Sequence, residues 1–189
     1  MKHLSGNDDI IIDIPQEEQD MSQLNKKTDS KHENLAGEHP WGDTGQIILF
    51  FVFMAVWIVD SFVLNLTDLS KYYLPFYLKF ALAAVFLGIG IYLSKRTHDI
   101  LFNSKEDDGG VISTGPFARV RHPLYLSTML FYLALLIFNP TIISFAVGIV
   151  IFIFYNFIAR HEEKILVEKF GKAYGEYMTS VPRWVPRLK

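Results

Sequence analysis

The chain contains no cysteine. Disulfides, thiol nucleophiles and cysteine-based zinc sites are therefore excluded. The glycine-rich signatures of soluble cofactor folds are also missing. There is no Walker loop, no Rossmann fingerprint followed by an acid, and no G-x-S-x-G nucleophile elbow. "RHEEK" at 160–164 lacks the second histidine of H-E-x-x-H, so no metal is expected. The net charge of −2 comes with no basic stripe interleaved with aromatics outside the apolar segments, so no nucleic acid partner is expected. The N-terminus lacks an apolar h-region and does not read as a signal peptide. Aromatic residues are absent from positions 1–40, which carry nine acidic and four basic residues. Such a segment cannot bury enough apolar area to offset its ordering entropy. It reads as a disordered acidic tail, with "IIIDI" at 10–14 as its one β-prone run.

What the remainder has in abundance is apolar length. Half of the chain's residues are hydrophobic, and its 16 phenylalanines crowd into three stretches. Gln46 to Leu66 is 21 residues, about 30 Å of helix at 1.5 Å per residue, which matches a bilayer core. Asp60 lies inside it, either facing the protein interior or hydrated near the far interface. A second span runs over 74–94, with Lys79 placed to snorkel and Ala84 and Gly88 as a small-xxx-small pair extended by Gly90. A third apolar stretch, 124–138, is short for a span. The turn signal "NP" at 139–140 then leads into a return over 141–159, where Ser144 and Gly148 form another small pair. Residues 161–178 place Ile165, Leu166, Phe170, Tyr174, Tyr177 and Met178 on one stripe of an amphipathic helix. "VPRWVPR" follows, extended by its prolines, with Trp184 suited to the interface.

These elements predict an all-α integral membrane protein with about four transmembrane helices. A C-terminal helical hairpin and a cytoplasmic amphipathic helix complete a domain over 41–189. Lysine and arginine concentrate in the 95–122 loop and after 159. Four spans then put both termini in the cytoplasm.

Two polar clusters flank the hairpin, "GGVISTGPFARVRHPLY" before it and "NFIARHEE" after it. Antiparallel arms bring Arg121, His122 and Tyr125 toward Asn156, Arg160 and Glu163. The last three are spaced i, i+4, i+7 and share a helical face. Pro123 suits a first helical position, where no N–H is needed. Two readings stay open on the residues alone. The cations are membrane anchors, or the cluster is a site in which Asn156, Arg160 and Glu163 serve the chemistry.

The ordered run "STGPFARVRHPLYLS", an apolar hairpin, then "RHEEKILVEKFGKAYGEYMTSVPRWVP" resembles the membrane methyltransferases of the isoprenylcysteine carboxyl methyltransferase and phospholipid methyltransferase group, over roughly 84–187. The resemblance implies S-adenosylmethionine as methyl donor and a lipophilic acceptor entering from the bilayer: an isoprenylcysteine-like carboxylate, a phospholipid amine or another lipid. By position it implies cofactor contacts from Gly109, Gly110, Val111, Ile112, Phe117, His122, Pro123, Tyr125 and Glu162, with Arg121 lining the same pocket. One departure bears on the acceptor. Isoprenylcysteine enzymes carry an arginine four residues before the glutamate that corresponds to Glu162, and here Ile158 stands there. Arg160 lies about 200° round the helix from that position. The alternatives are an NADPH-dependent membrane sterol- or enone-type reductase, and a non-catalytic lipid-binding or scaffold protein.

Overall fold

The computed structural model describes residues 40–67, 69, 75–103 and 110–186, with backbone alone at 40–43 and 103. The expected tail, including its "IIIDI" run, lies outside the described residues apart from position 40. The described residues belong to one compact unit, His39–Lys189. Among them every regular element is helical: α1 Pro40–Ile58, continued by a π-helical turn Val59–Leu64, then α2 Phe76–Asn103, α3 Pro123–Phe138, α4 Ile142–Phe170 and α5 Lys172–Ser180. A 3₁₀ turn, Gly115–Ala118, precedes α3.

Three segments are long and apolar enough to cross a membrane: Thr44–Leu64, Phe76–Phe102 and Ile142–Phe170. α3 is apolar but has only 16 residues, about 24 Å. Large apolar side chains cover the outer faces of α1, α2 and α4, among them Phe51, Val85 and Phe157. A continuous apolar surface of this kind needs a hydrocarbon solvent. The molecule is an all-α integral membrane protein.

Two elements run differently from the sequence reading. The second span does not stop at Ser94, because α2 continues to Asn103. Thr97 is fully buried with its hydroxyl bonded to the Leu93 carbonyl, 2.7 Å away. The amphipathic stretch 161–178 is not a separate helix. Its first half prolongs α4 in one 29-residue helix, which ends at Gly171. Gly171 has φ +55°, a left-handed value that suits glycine, and α5 starts afresh beyond it.

α2 and α3 are antiparallel neighbours. Phe76 meets Phe138 edge-on at one end, and Gly90 faces Ser127 nearer the other. A Cβ at Gly90 would lie 3.1 Å from the Ser127 carbonyl oxygen, whereas one at Gly88 would meet nothing. Close approach therefore depends on Gly90 and not on the Ala84–Gly88 pair. Lys79 does not snorkel outward but is buried. The core joins α1, α3 and α4 through Phe53, Trp57, Tyr132, Ile151 and Tyr155, each large side chain contributing about 1.5–3 kcal/mol by burial.

The turns at one end of the bundle are stitched together by polar groups. Asp60 is buried and accepts from the Leu66 and Thr67 amides, at 3.1 and 3.3 Å, and from the Thr67 hydroxyl. The Leu69 amide donates to the Pro140 carbonyl, the Ile142 amide to the Thr67 carbonyl, and the Trp57 indole to the Asn139 carbonyl. Thr141 caps α4 by accepting from the Ser144 amide. Asp60 thus closes the turn after α1.

Candidate active site

The other end of the bundle is built from three segments. Residues 119–125 enter α3 with His122 at the cap position and Pro123 as the first helical residue. α4 supplies the stretch from Asn156 to Glu163. The tail after α5 folds back so that the Arg121 amide donates to the Pro182 carbonyl at 3.0 Å. The Tyr177 hydroxyl donates to the Phe117 carbonyl at 2.7 Å, which ties α5 to the 3₁₀ turn.

Glu163 is the hub. It is 3% exposed. Arg183 grips both its oxygens, Nε donating to Oε1 at 2.9 Å and Nη2 to Oε2. His122 Nε2 lies 3.1 Å from Oε1. Arg121 Nη1 lies 3.0 Å from the same oxygen, yet neither Nη1 nor Nε of Arg121 makes a hydrogen bond, although both are buried. Distance alone makes this an ion pair, and poor alignment leaves the donors unfilled.

Around the hub, the Tyr125 hydroxyl donates to Glu162, whose other oxygen lies 3.4 Å from His122 Nδ1. Asn156 Oδ1 accepts from Arg183 Nη1 at 3.0 Å and from the Trp184 indole at 3.4 Å. Aromatic faces line the same space. His122 stacks on Tyr125 at 5.6 Å and lies 5.8 Å from Trp184, and Tyr125 meets Tyr155 at 5.1 Å.

Burial disfavours protonated His122, but Glu162 and Glu163 more than compensate and raise it above 6.5. Burial drives the Tyr177 phenol up to about 12, so it serves as a neutral donor. With His122 protonated, three cations (Arg121, His122, Arg183) face two carboxylates, Glu162 and Glu163. Two guanidinium donors of Arg121 are left unfilled.

The structure therefore brings Arg121, His122, Tyr125, Asn156, Glu162 and Glu163 together, with Pro123 buried beneath them. Arg160 is exposed and lines an open cleft of about 440 Å³ together with Glu163, Lys164 and Arg183. Ile158 is buried, so no cation occupies its position. Phe117 touches the network through its carbonyl, Val111 packs against the Tyr174–Tyr177–Val181 cluster, and Ile112 is half-buried. Gly110 is exposed, and Gly109 lies outside the described residues. Sequence reasoning missed Arg183. The only signal for it was the pair of prolines that frame "RW" and hold the tail extended. A separate apolar cavity of about 400 Å³, with Lys79 in its wall, lies at the opposite end of the bundle. Among the described residues no group of three or more His, Cys, Asp or Glu is placed to hold a metal ion.

Apolar helices that end in a buried guanidinium, carboxylate and aromatic cluster define a membrane protein with a polar site at one surface. The chain belongs to the phospholipid methyltransferase family, which it matches over residues 77–173. It is also 28% identical over 103 residues to the cobalt-zinc-cadmium resistance protein CzcN of Cupriavidus metallidurans. That match covers 54% of this chain and 47% of the relative, so the chain spans about half the length of that protein.

Proposed function

We propose that this protein transfers a methyl group from S-adenosylmethionine to a lipophilic acceptor drawn from the bilayer. The observation that carries the reading is Arg121, a buried guanidinium with two unfilled donors among carboxylates and aromatic faces. This donor set fits the cofactor. Arg121 is matched to the methionyl carboxylate, Glu162 accepts from a ribose hydroxyl or the amino group, and the faces of Tyr125, His122 and Trp184 offer apolar and π contacts. An aromatic face against a sulfonium is worth about 0.5–2 kcal/mol. When bound, S-adenosylmethionine supplies an electrophilic methyl group for in-line displacement.

The protein's part is to orient and to exclude water, since in-line transfer needs alignment and desolvation more than a strong acid. Glu163 holds His122 and the two arginines in register, and Asn156 fixes Arg183 and Trp184. Arg160, on the open cleft, faces the acceptor. Phe117 and residues 110–112 wall the cofactor side, with Gly109 next to them in the chain. The acceptor proton, where there is one, leaves to water through the cleft. In this reading the chain crosses the membrane four times with both termini cytoplasmic, and residues 1–40 form a separate acidic tail outside the 41–189 domain.

The test is transfer of labelled methyl from S-adenosylmethionine by purified protein reconstituted with a total lipid extract. Label is expected in the organic phase. Arg160→Ala is expected to lower turnover while leaving cofactor affinity within about twofold. An extract that stays unlabelled, with no cofactor binding, contradicts the reading.

A further inference from the structure

Glu163 has two oxygens and two guanidiniums competing for them. Arg183 takes both oxygens in a fork and anchors its remaining nitrogen on Asn156. Arg121 sits as close, at 3.0 Å, but is left unbonded at Nε and Nη1. A carboxylate presented to a lone arginine would be expected to form the two parallel bonds that such pairs favour. Arg121 is therefore kept out of a pairing that it is near enough to make.

We infer that Arg183 is a positioning residue whose occupation of Glu163 keeps Arg121 available to an anionic ligand group. The inference rests on the function proposed above and adds a role for the extended tail. Val181–Pro186 is a strap that completes the site rather than an interface anchor. Its backbone is tied down at Pro182 by the Arg121 amide, and Trp184 closes over His122. Both contacts hold Arg183 in its fork. Without Arg183, Glu163 turns to Arg121, the fork forms there, and the donors meant for the ligand are consumed.

Two unreactive ligands separate this role from a general structural one. S-adenosylhomocysteine carries the amino-acid carboxylate, and 5′-methylthioadenosine lacks it. Calorimetry on the full-length protein in detergent is expected to show S-adenosylhomocysteine weakened tenfold to a hundredfold by Arg183→Met. Binding of 5′-methylthioadenosine should change less than threefold. Arg183→Lys keeps the charge but not the fork, and is expected to fall between wild type and Arg183→Met. The double variant Arg183→Met/Glu163→Gln removes the charge that captures Arg121, and should recover most of the lost affinity. Equal weakening of both ligands by Arg183→Met overturns the inference, as does a double variant no better than the single one. Wild-type protein that binds neither ligand overturns the cofactor reading instead. If Arg183→Met does not stay folded on thermal unfolding, the Arg183→Lys and double-variant comparisons decide the matter.

Discussion

The two ends of the bundle use buried polar groups in opposite ways. At the turn end, Asp60 serves amides and a hydroxyl six and seven residues along its own chain, and Thr141 caps the helix that it precedes. At the site end, no side chain of the cluster caps its own helix. His122 stands at the cap position of α3 without a side-chain capping bond. It reaches instead to two glutamates some forty residues away. Local use satisfies the backbone and leaves only the neutral Ser61 hydroxyl beside Asp60 without a partner. Long-range use among side chains leaves remainders, here the two unfilled donors of Arg121. The first pattern marks a turn and the second marks a candidate binding site.

Substituting each hub in turn sharpens that contrast. Glu163→Ala leaves Arg121, His122 and Arg183 facing one another without their shared counter-ion. Removing one partner of a buried ion pair typically costs about 3–5 kcal/mol. Thermal unfolding in detergent should show that loss, and calorimetry should show weaker cofactor binding, because alanine removes the acceptor oxygen that glutamine at this position would keep. Asp60→Ala strands two amides and a hydroxyl at the turn end, at about 1–3 kcal/mol. It should lower the unfolding temperature while S-adenosylhomocysteine affinity stays within about twofold. Loss of binding from Asp60→Ala would erase the distinction between the two ends.

A smaller effect is expected from pH. His122 is raised above 6.5, so its contribution is full below that value and is lost as pH rises through the raised one. Wild type should therefore exceed His122→Gln in unfolding temperature most clearly below about pH 6.5, with the gap narrowing at alkaline pH. A gap that widens above pH 8 would mean that His122 works in its neutral form.

Much of this was legible in the sequence because it follows from local rules. Apolar length marked the four hydrophobic segments, "NP" marked the turn between α3 and α4, and Pro123 marked the start of α3. The i, i+7 spacing put Asn156 and Glu163 on one face, and one side chain, Arg183, now bridges them. Where local rules end, the reading stopped. Beyond Ser94 the chain turns polar, so nothing apolar signalled that α2 runs on to Asn103. The break at Gly171 was hidden by an amphipathic stripe that continues across it. Arg183 belongs to the site only because the tail doubles back against Arg121, a contact set by tertiary structure. Adjacent glutamates looked equivalent, but neighbouring positions on a helix point about 100° apart. Only Glu163 is turned fully inward, while Glu162 stays half-buried beside Tyr125.

The central claim is that Arg121 is held for a ligand and is not a membrane anchor. Arg119, two residues earlier, is exposed and provides the internal control. The direct measurement is calorimetric binding of S-adenosylhomocysteine to wild type, Arg119→Lys and Arg121→Lys. Lysine keeps the charge and the apolar stem that an anchor needs, but not the planar fork. Arg119→Lys should be silent, and Arg121→Lys should weaken binding at least tenfold with the unfolding temperature unchanged. Equal affinity in all three proteins would contradict the account and leave Arg121 as an anchor.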